Sequence, residues 1–123
     1  MRKVNKFRVD LSEISGDSAK QLRYFALLNL GIVQSLASGI MSASEAIRFF
    51  YNAENCLHVK EHFRNKKADA IMSHGVQLPD LFEVLPADEA AREFFRELEA
   101  MRSLCTSLLA TKRFNGVANR VTV

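Results

Sequence analysis

The stretch ADEAAREFFRELEAMRSLCTSLLA, residues 87–110, decides the fold class. Ala91, Phe94, Leu98, Met101, Cys105 and Leu108 recur at steps of three and four, the period of an α-helix with one buried face. Arg92, Glu93, Arg96, Glu97, Glu99 and Arg102 occupy the other side, where Asp88–Arg92 and Glu99–Arg102 are spaced to pair. Pro86 stands just before the helix, at a position that does not need an N–H. A helix of about 24 residues is roughly 36 Å long, enough to span a domain of this size.

Other helices must cover that face. Residues 18–37 read as one of them. Ser18 and Gln21 have capping-box spacing, with the helix starting at Asp17 or Ser18. Leu22, Phe25, Ala26, Val33, Leu36 and Ala37 form a stripe that Leu27, Leu28, Leu30 and Ile32 widen to most of the circumference, so the helix is expected among others. Gly31, in its middle, suits close approach of a neighbour. Gly39 ends the helix and Ser42–Glu45 forms a second capping box, so residues 39–41 make a tight turn. The next helix buries Ala46, Ile47 and Phe50. It is expected to break at residues 52–55, where Asn55 recaps a new helix running to about Arg64. Of Phe49, Phe50 and Tyr51, Phe50 is the one expected in the core. Residues 67–74 read as a short helix ended by Gly75, with His74 at its negative end, followed by a connector at 76–79 and one or two helical turns at 80–85. At the N-terminus Phe7, Val9 and Leu11 alternate with charged residues, which suits a short extended segment or a basic arm. The expectation is one all-α domain, an antiparallel bundle of four to five helices, with residues 1–16 extended or arm-like and 112–123 a polar tail. Phe25, Val33, Leu36, Ile47, Phe50, Phe94, Leu98, Met101 and Leu108 should form its core.

With 123 residues, 48% hydrophobic and only 5 Gly and 2 Pro, the composition is that of a globular helical protein. Two cysteines without a C-x-x-C, Cys56 and Cys105, read as reduced buried thiols in the cytoplasm. The apolar run at 24–33 follows Asp10, Glu13 and Asp17 and is broken by Asn29, so neither an export signal nor a membrane span is expected. Net charge is +3. Residues 1–67 hold 11 basic and 6 acidic side chains, a balance of +5, whereas residues 68–123 hold 6 and 8, a balance of −2.

Chemistry-bearing motifs are sparse. His58-Val59-Lys60-Glu61-His62 matches H-x-x-E-H, whose histidines share a helical face and can chelate a metal. No downstream motif offers a third ligand, so a solvated helix surface is the preferred reading. The tight turn after Gly39 has helix-turn-helix form, but Gln34, Ser38, Glu45 and Arg48 fall where that motif needs apolar residues. Lys60, Arg64, Lys66 and Lys67 form a candidate basic binding patch of the kind that contacts phosphates. No catalytic, cofactor-binding or metal-binding residues are assigned.

Leu30-Gly31, Ser35-Leu36, Gly39, Ser42, Glu45-Ala46, Gly75, Leu78, Asp80 and Leu85-Pro86 carry a likeness. Over residues 20–86 the chain resembles a small family of uncharacterised bacterial all-helical proteins of about this length. The resemblance implies the fold and no activity, and the N-terminal arm and C-terminal tail lie outside it.

The leading expectation is a cytoplasmic, non-enzymatic protein-interaction module, such as an adaptor, inhibitor or immunity-type protein, without cofactor. A nucleic-acid-associated module using the basic patch is the alternative. Apolar excess at Phe95, Ala100, Leu104 and Leu109 on the last helix, and at Leu27, Leu28 and Ile32 on the first, predicts a homodimer.

Overall fold

The computed structural model describes residues 7–110. The expectations for residues 1–6 and for the 112–123 tail lie outside them. Five helices pack as an all-α bundle: α1 (Ser18–Ala37), α2 (Ala43–Phe49), α3 (Ala53–His58), α4 (Lys66–Val84) and α5 (Ala87–Leu109). A 3-10 turn, Leu11–Glu13, precedes α1, and a π-helical turn, Val59–Phe63, follows α3.

The last helix follows the sequence pattern. Phe94, Leu98, Met101, Cys105 and Leu108 are buried, with Ala90 rather than Ala91 heading the stripe. α4 lies antiparallel to it: Phe82 meets Phe94, His74 bonds Glu97, and Lys67 Nζ donates to Ser107 Oγ at 2.7 Å. Of the expected core, Ile47 alone is only half-buried, because α2 turns Ala43, Ala46 and Phe49 inward and leaves Ile47 at the edge of a groove.

Residues 66–84 depart most from expectation. The short helix, connector and separate turns are one continuous helix that passes through Gly75 and Pro79. Pro79 has no N–H for the Gly75 carbonyl, a loss worth about 3 kcal/mol in a helix interior. Burial of Ala68, Ile71, Met72 and Leu78 along the same face offsets it. Gly75 is buried against Tyr51, and a Cβ there would lie 2.6 Å from the ring. His74 therefore sits mid-helix and meets Glu97, not a helix terminus. Gly31, expected at a close approach, has open space above it.

The caps at the other junctions are partly as read. Ser42 and Glu45 form the reciprocal box. Gly39, at φ 78, makes the left-handed turn. The Ser18–Gln21 box does not form. Asp17 caps α1 by accepting from the Lys20 N–H at 2.9 Å, which frees Gln21 for another role. α3 is capped by Asn52, which accepts from Asn55 N–H at 3.0 Å, so Asn55 is not the cap. The break falls earlier than expected because Phe50, at φ −144 and ψ −41, leaves the helix. That change of direction buries Phe49 and Tyr51 as well as Phe50.

Candidate functional site

The site begins with one buried amide. Asn55 is 2% exposed, and every polar atom of its side chain is used. Its Oδ1 accepts the Leu11 N–H at 3.0 Å, and its Nδ2 donates to the carbonyls of Val9 at 2.7 Å and Phe50 at 2.9 Å. The Val9 N–H donates to the Phe49 carbonyl at 2.9 Å. These bonds lay residues 7–11 across the α2–α3 junction as a strap without strand pairing. Leu11 is fully buried beneath it, and the Phe7 ring stacks on Phe49 at 4.5 Å between centroids.

The strap, the α1–α2 turn and the outer face of α2 bound a groove of about 670 Å³. That size lies within the range typical of ligand pockets. Phe7, Ile40, Met41 and Ile47 supply its apolar surface, and Phe7 and Ile40 are each 77% exposed. Most of its polar groups are committed. Glu45 accepts the Ser42 N–H at 2.8 Å, Asn52 caps α3, and Arg8 is held by Asp10 at 2.6 Å and Glu54 at 3.6 Å. Arg48 has no ion-pair partner among the described residues. Across Phe7 a shallower depression of about 300 Å³ continues along α1 past Leu27, Leu28 and Gly31. The arrangement offers an apolar bed with a cation at its edge, which suits binding an apolar segment next to negative charge.

The four residues of the expected basic patch lie along the junction of the π-helical turn with α4. Lys60 lines a depression beside Cys56, Asp69 and Met72. Arg64 closes the π-helical turn in a left-handed conformation, φ 48, and Lys66 opens α4. Lys67 reaches across to Ser107 of α5.

The H-x-x-E-H histidines form a stacked pair, with ring centroids 4.2 Å apart and planes 14° from parallel. Gln21 Nε2 donates to the Ile14 carbonyl at 2.6 Å, so its Oε1 faces His58 Nε2 at 3.1 Å and that nitrogen carries a proton. His62 Nδ1 donates in turn to the His58 carbonyl at 3.2 Å. Lone pairs on two parallel rings do not converge on one point, so this conformation is not a chelate. Burial and the neighbouring His62 hold the His58 pKa below its ordinary value, against the opposing pull of Glu61. The folded state thus prefers neutral His58. Its contribution to stability is complete above the unfolded histidine value of about 6.5 and is lost as pH falls through the folded value. An imidazole NMR titration should find His58 titrating below the ordinary histidine value, with His62→Ala moving it upward. Titration of His58 at or above the ordinary value would contradict this geometry.

The bundle interior holds a second polar chain. The Tyr51 hydroxyl donates to Asn29 Oδ1 at 2.6 Å, and Asn29 Nδ2 donates to the Phe25 carbonyl at 2.9 Å. Burial pushes the Tyr51 phenol up and carries the Cys105 thiol up to about 12. Cys56, half-buried, is also raised by burial, and both cysteines are free.

A model of a family described as proteins of unknown function matches residues 17–120. The chain belongs to the DUF3969 family. No curated protein and no solved structure matches it. The DUF3969 match is wider than the likeness read over residues 20–86, since it takes in α5 and the tail to residue 120. It starts at Asp17, the cap of α1. Within the groove, Ile40, Met41, Ile47 and Arg48 thus fall inside the DUF3969 region and Phe7 and Arg8 outside it. Among the described residues no helix is long and apolar enough to cross a membrane.

Sequence reasoning missed the groove. Asn55 carries the same residue type as a cap, and its long-range bonds to Val9 and Leu11 leave no local signature. The one available signal was Ile40, a large apolar residue in a turn that otherwise calls for polar ones.

Proposed function

We propose that the chain is a non-enzymatic protein-interaction module of the adaptor, inhibitor or immunity type, whose α1–α2 groove holds an apolar segment of an acidic partner. The observation that carries this reading is the groove itself: Phe7 and Ile40 exposed beside the half-buried Met41 and Ile47, with Arg48 unpaired among the described residues. Exposed apolar surface of this kind marks interaction sites. The sequence before Phe7 carries Arg2, Lys3 and Lys6 without an acidic residue, a positive charge that steers acidic partners.

Two fluorescent amphipathic peptides of about 16 residues test it, one with glutamate and one with lysine on the polar face. The acidic peptide should bind, and Arg48→Glu should weaken it about tenfold or more. Nucleic acid is the competing ligand. Binding of DNA or RNA that fails with Lys66→Glu and Lys67→Glu and falls steeply with salt, while the acidic peptide does not bind, would replace this reading. A second copy is the competing occupant. Of the residues that argued for a homodimer, Ile32 is buried, Leu28, Leu104 and Leu109 pack on the core and Ala100 is half-buried, leaving Leu27 and Phe95 exposed. Sedimentation at micromolar concentration separates a 13.9 kDa species from a dimer.

A further inference from the structure

We infer a second docking surface at the α4–α5 corner, which takes a basic segment of a partner protein that inserts an apolar side chain into the depression between Phe82 and α2. This surface adjoins the groove at Met41, which lines both, and is of opposite charge.

The corner follows from local chain geometry. Leu85 is extended at φ −107 and ψ 153, and Pro86 starts α5 directly after it. The last turn of α4 and the first turn of α5 therefore meet without covering each other. Phe82 packs on Phe94 with ring centroids 5.2 Å apart, and Phe94 packs on Phe95 at 5.5 Å. Phe82 and Phe95 are each 52% exposed and Val84 is 76% exposed. Between the corner and α2 lies a depression of about 400 Å³ lined by Met41, Ala43, Pro79, Phe82 and Phe94. Phe82 is the half-exposed aromatic of this lining, and aromatic side chains, Phe included, are enriched in protein interfaces.

Charge identifies the partner. Residues 80–93 carry Asp80, Glu83, Asp88, Glu89 and Glu93 against the single cation Arg92. Glu93 is tied to Arg96 at 3.2 Å, whereas Asp80, Glu83, Asp88 and Glu89 are exposed and have no ion-pair partner among the described residues. Glu83 lines the depression, and this excess of carboxylates over the last turn of α4 and the first turns of α5 repels phosphate, which disfavours nucleic acid and anionic lipid headgroups. It also repels the same corner of a second copy, so a twofold pairing through it sets like charges together. A basic segment is attracted, and its lysine or arginine side chains can also rest on the exposed faces of Phe82 and Phe95.

The lysine peptide of the preceding test is the probe. It should bind the full chain, and Phe82→Ser with Phe95→Ser should weaken it about tenfold or more. Glu83→Lys with Asp88→Lys, both fully on the surface, should weaken it comparably without altering the melt, so a loss through misfolding is told apart. Arg48→Glu in the groove should leave it unchanged. Absence of lysine-peptide binding, or equal affinity in the folded Phe82→Ser, Phe95→Ser and the Glu83→Lys, Asp88→Lys variants, overturns the inference. Failure of the acidic peptide alone removes the groove reading and leaves this one standing.

Discussion

Asn55→Ala is expected to lower stability by about 3 kcal/mol and to remove binding at the groove in the same step. The variant loses the acceptor of the Leu11 N–H and the donor to the Val9 and Phe50 carbonyls. Leaving such groups unpaired costs roughly 1–3 kcal/mol each while they stay buried. The strap can lift to reach water, which lowers that cost, but Leu11 then leaves the core, at about 2 kcal/mol for a buried leucine. Lifting also disorders the wall that Phe7 contributes to the groove. Denaturant titration gives the stability change, and peptide anisotropy under conditions where the variant is still folded gives the binding change. Full retention of both would show that Asn55 does not hold the strap.

Gly75→Ala is the second large effect, and its sign is opposite to what helix propensity alone requires. Alanine in a helix interior gains about 1 kcal/mol over glycine. Against that, the new methyl lies 2.6 Å from the Tyr51 ring. Tyr51 is 2% exposed and bonded to Asn29, so it cannot retreat cheaply. Overpacking at such a site costs about 3 kcal/mol, for a net loss of about 2. Gly31→Ala is the internal control, since nothing lies within 4 Å of its Cβ position. It should be stabilising by up to about 1 kcal/mol. Urea melts of the two variants should move in opposite directions. A gain in both would place Tyr51 away from α4.

These two glycines also show how far the sequence was legible. Local rules act through neighbours in the chain, and where they governed, the reading held. The apolar steps of three and four through Phe94, Leu98, Met101, Cys105 and Leu108 located α5. The Ser42–Glu45 box and Gly39 located the α1–α2 turn. Gly75 and Pro79 have the local character of breakers, yet the helix continues because Tyr51, more than twenty residues away, needs the missing Cβ and because the buried face of α4 outweighs the lost backbone bond. Gly31 has the local character of a packing glycine and faces open space. Asn52 and Asn55 are equally good caps by type, and only the strap decides which is buried. The candidate site was less legible than the fold for the same reason. It assembles the strap, a turn and the edge of α2, three pieces that no periodicity links.

The most direct test of the account is the affinity of the acidic amphipathic peptide for the wild-type chain and for Ile40→Asp. Ile40 is on the surface, so the substitution leaves the core intact and places a carboxylate where an apolar side chain is to be received. The wild type should bind saturably and Ile40→Asp should lose about tenfold or more, with the melting curve unchanged. Equal affinity in the two proteins, or no binding by the wild type, would contradict it.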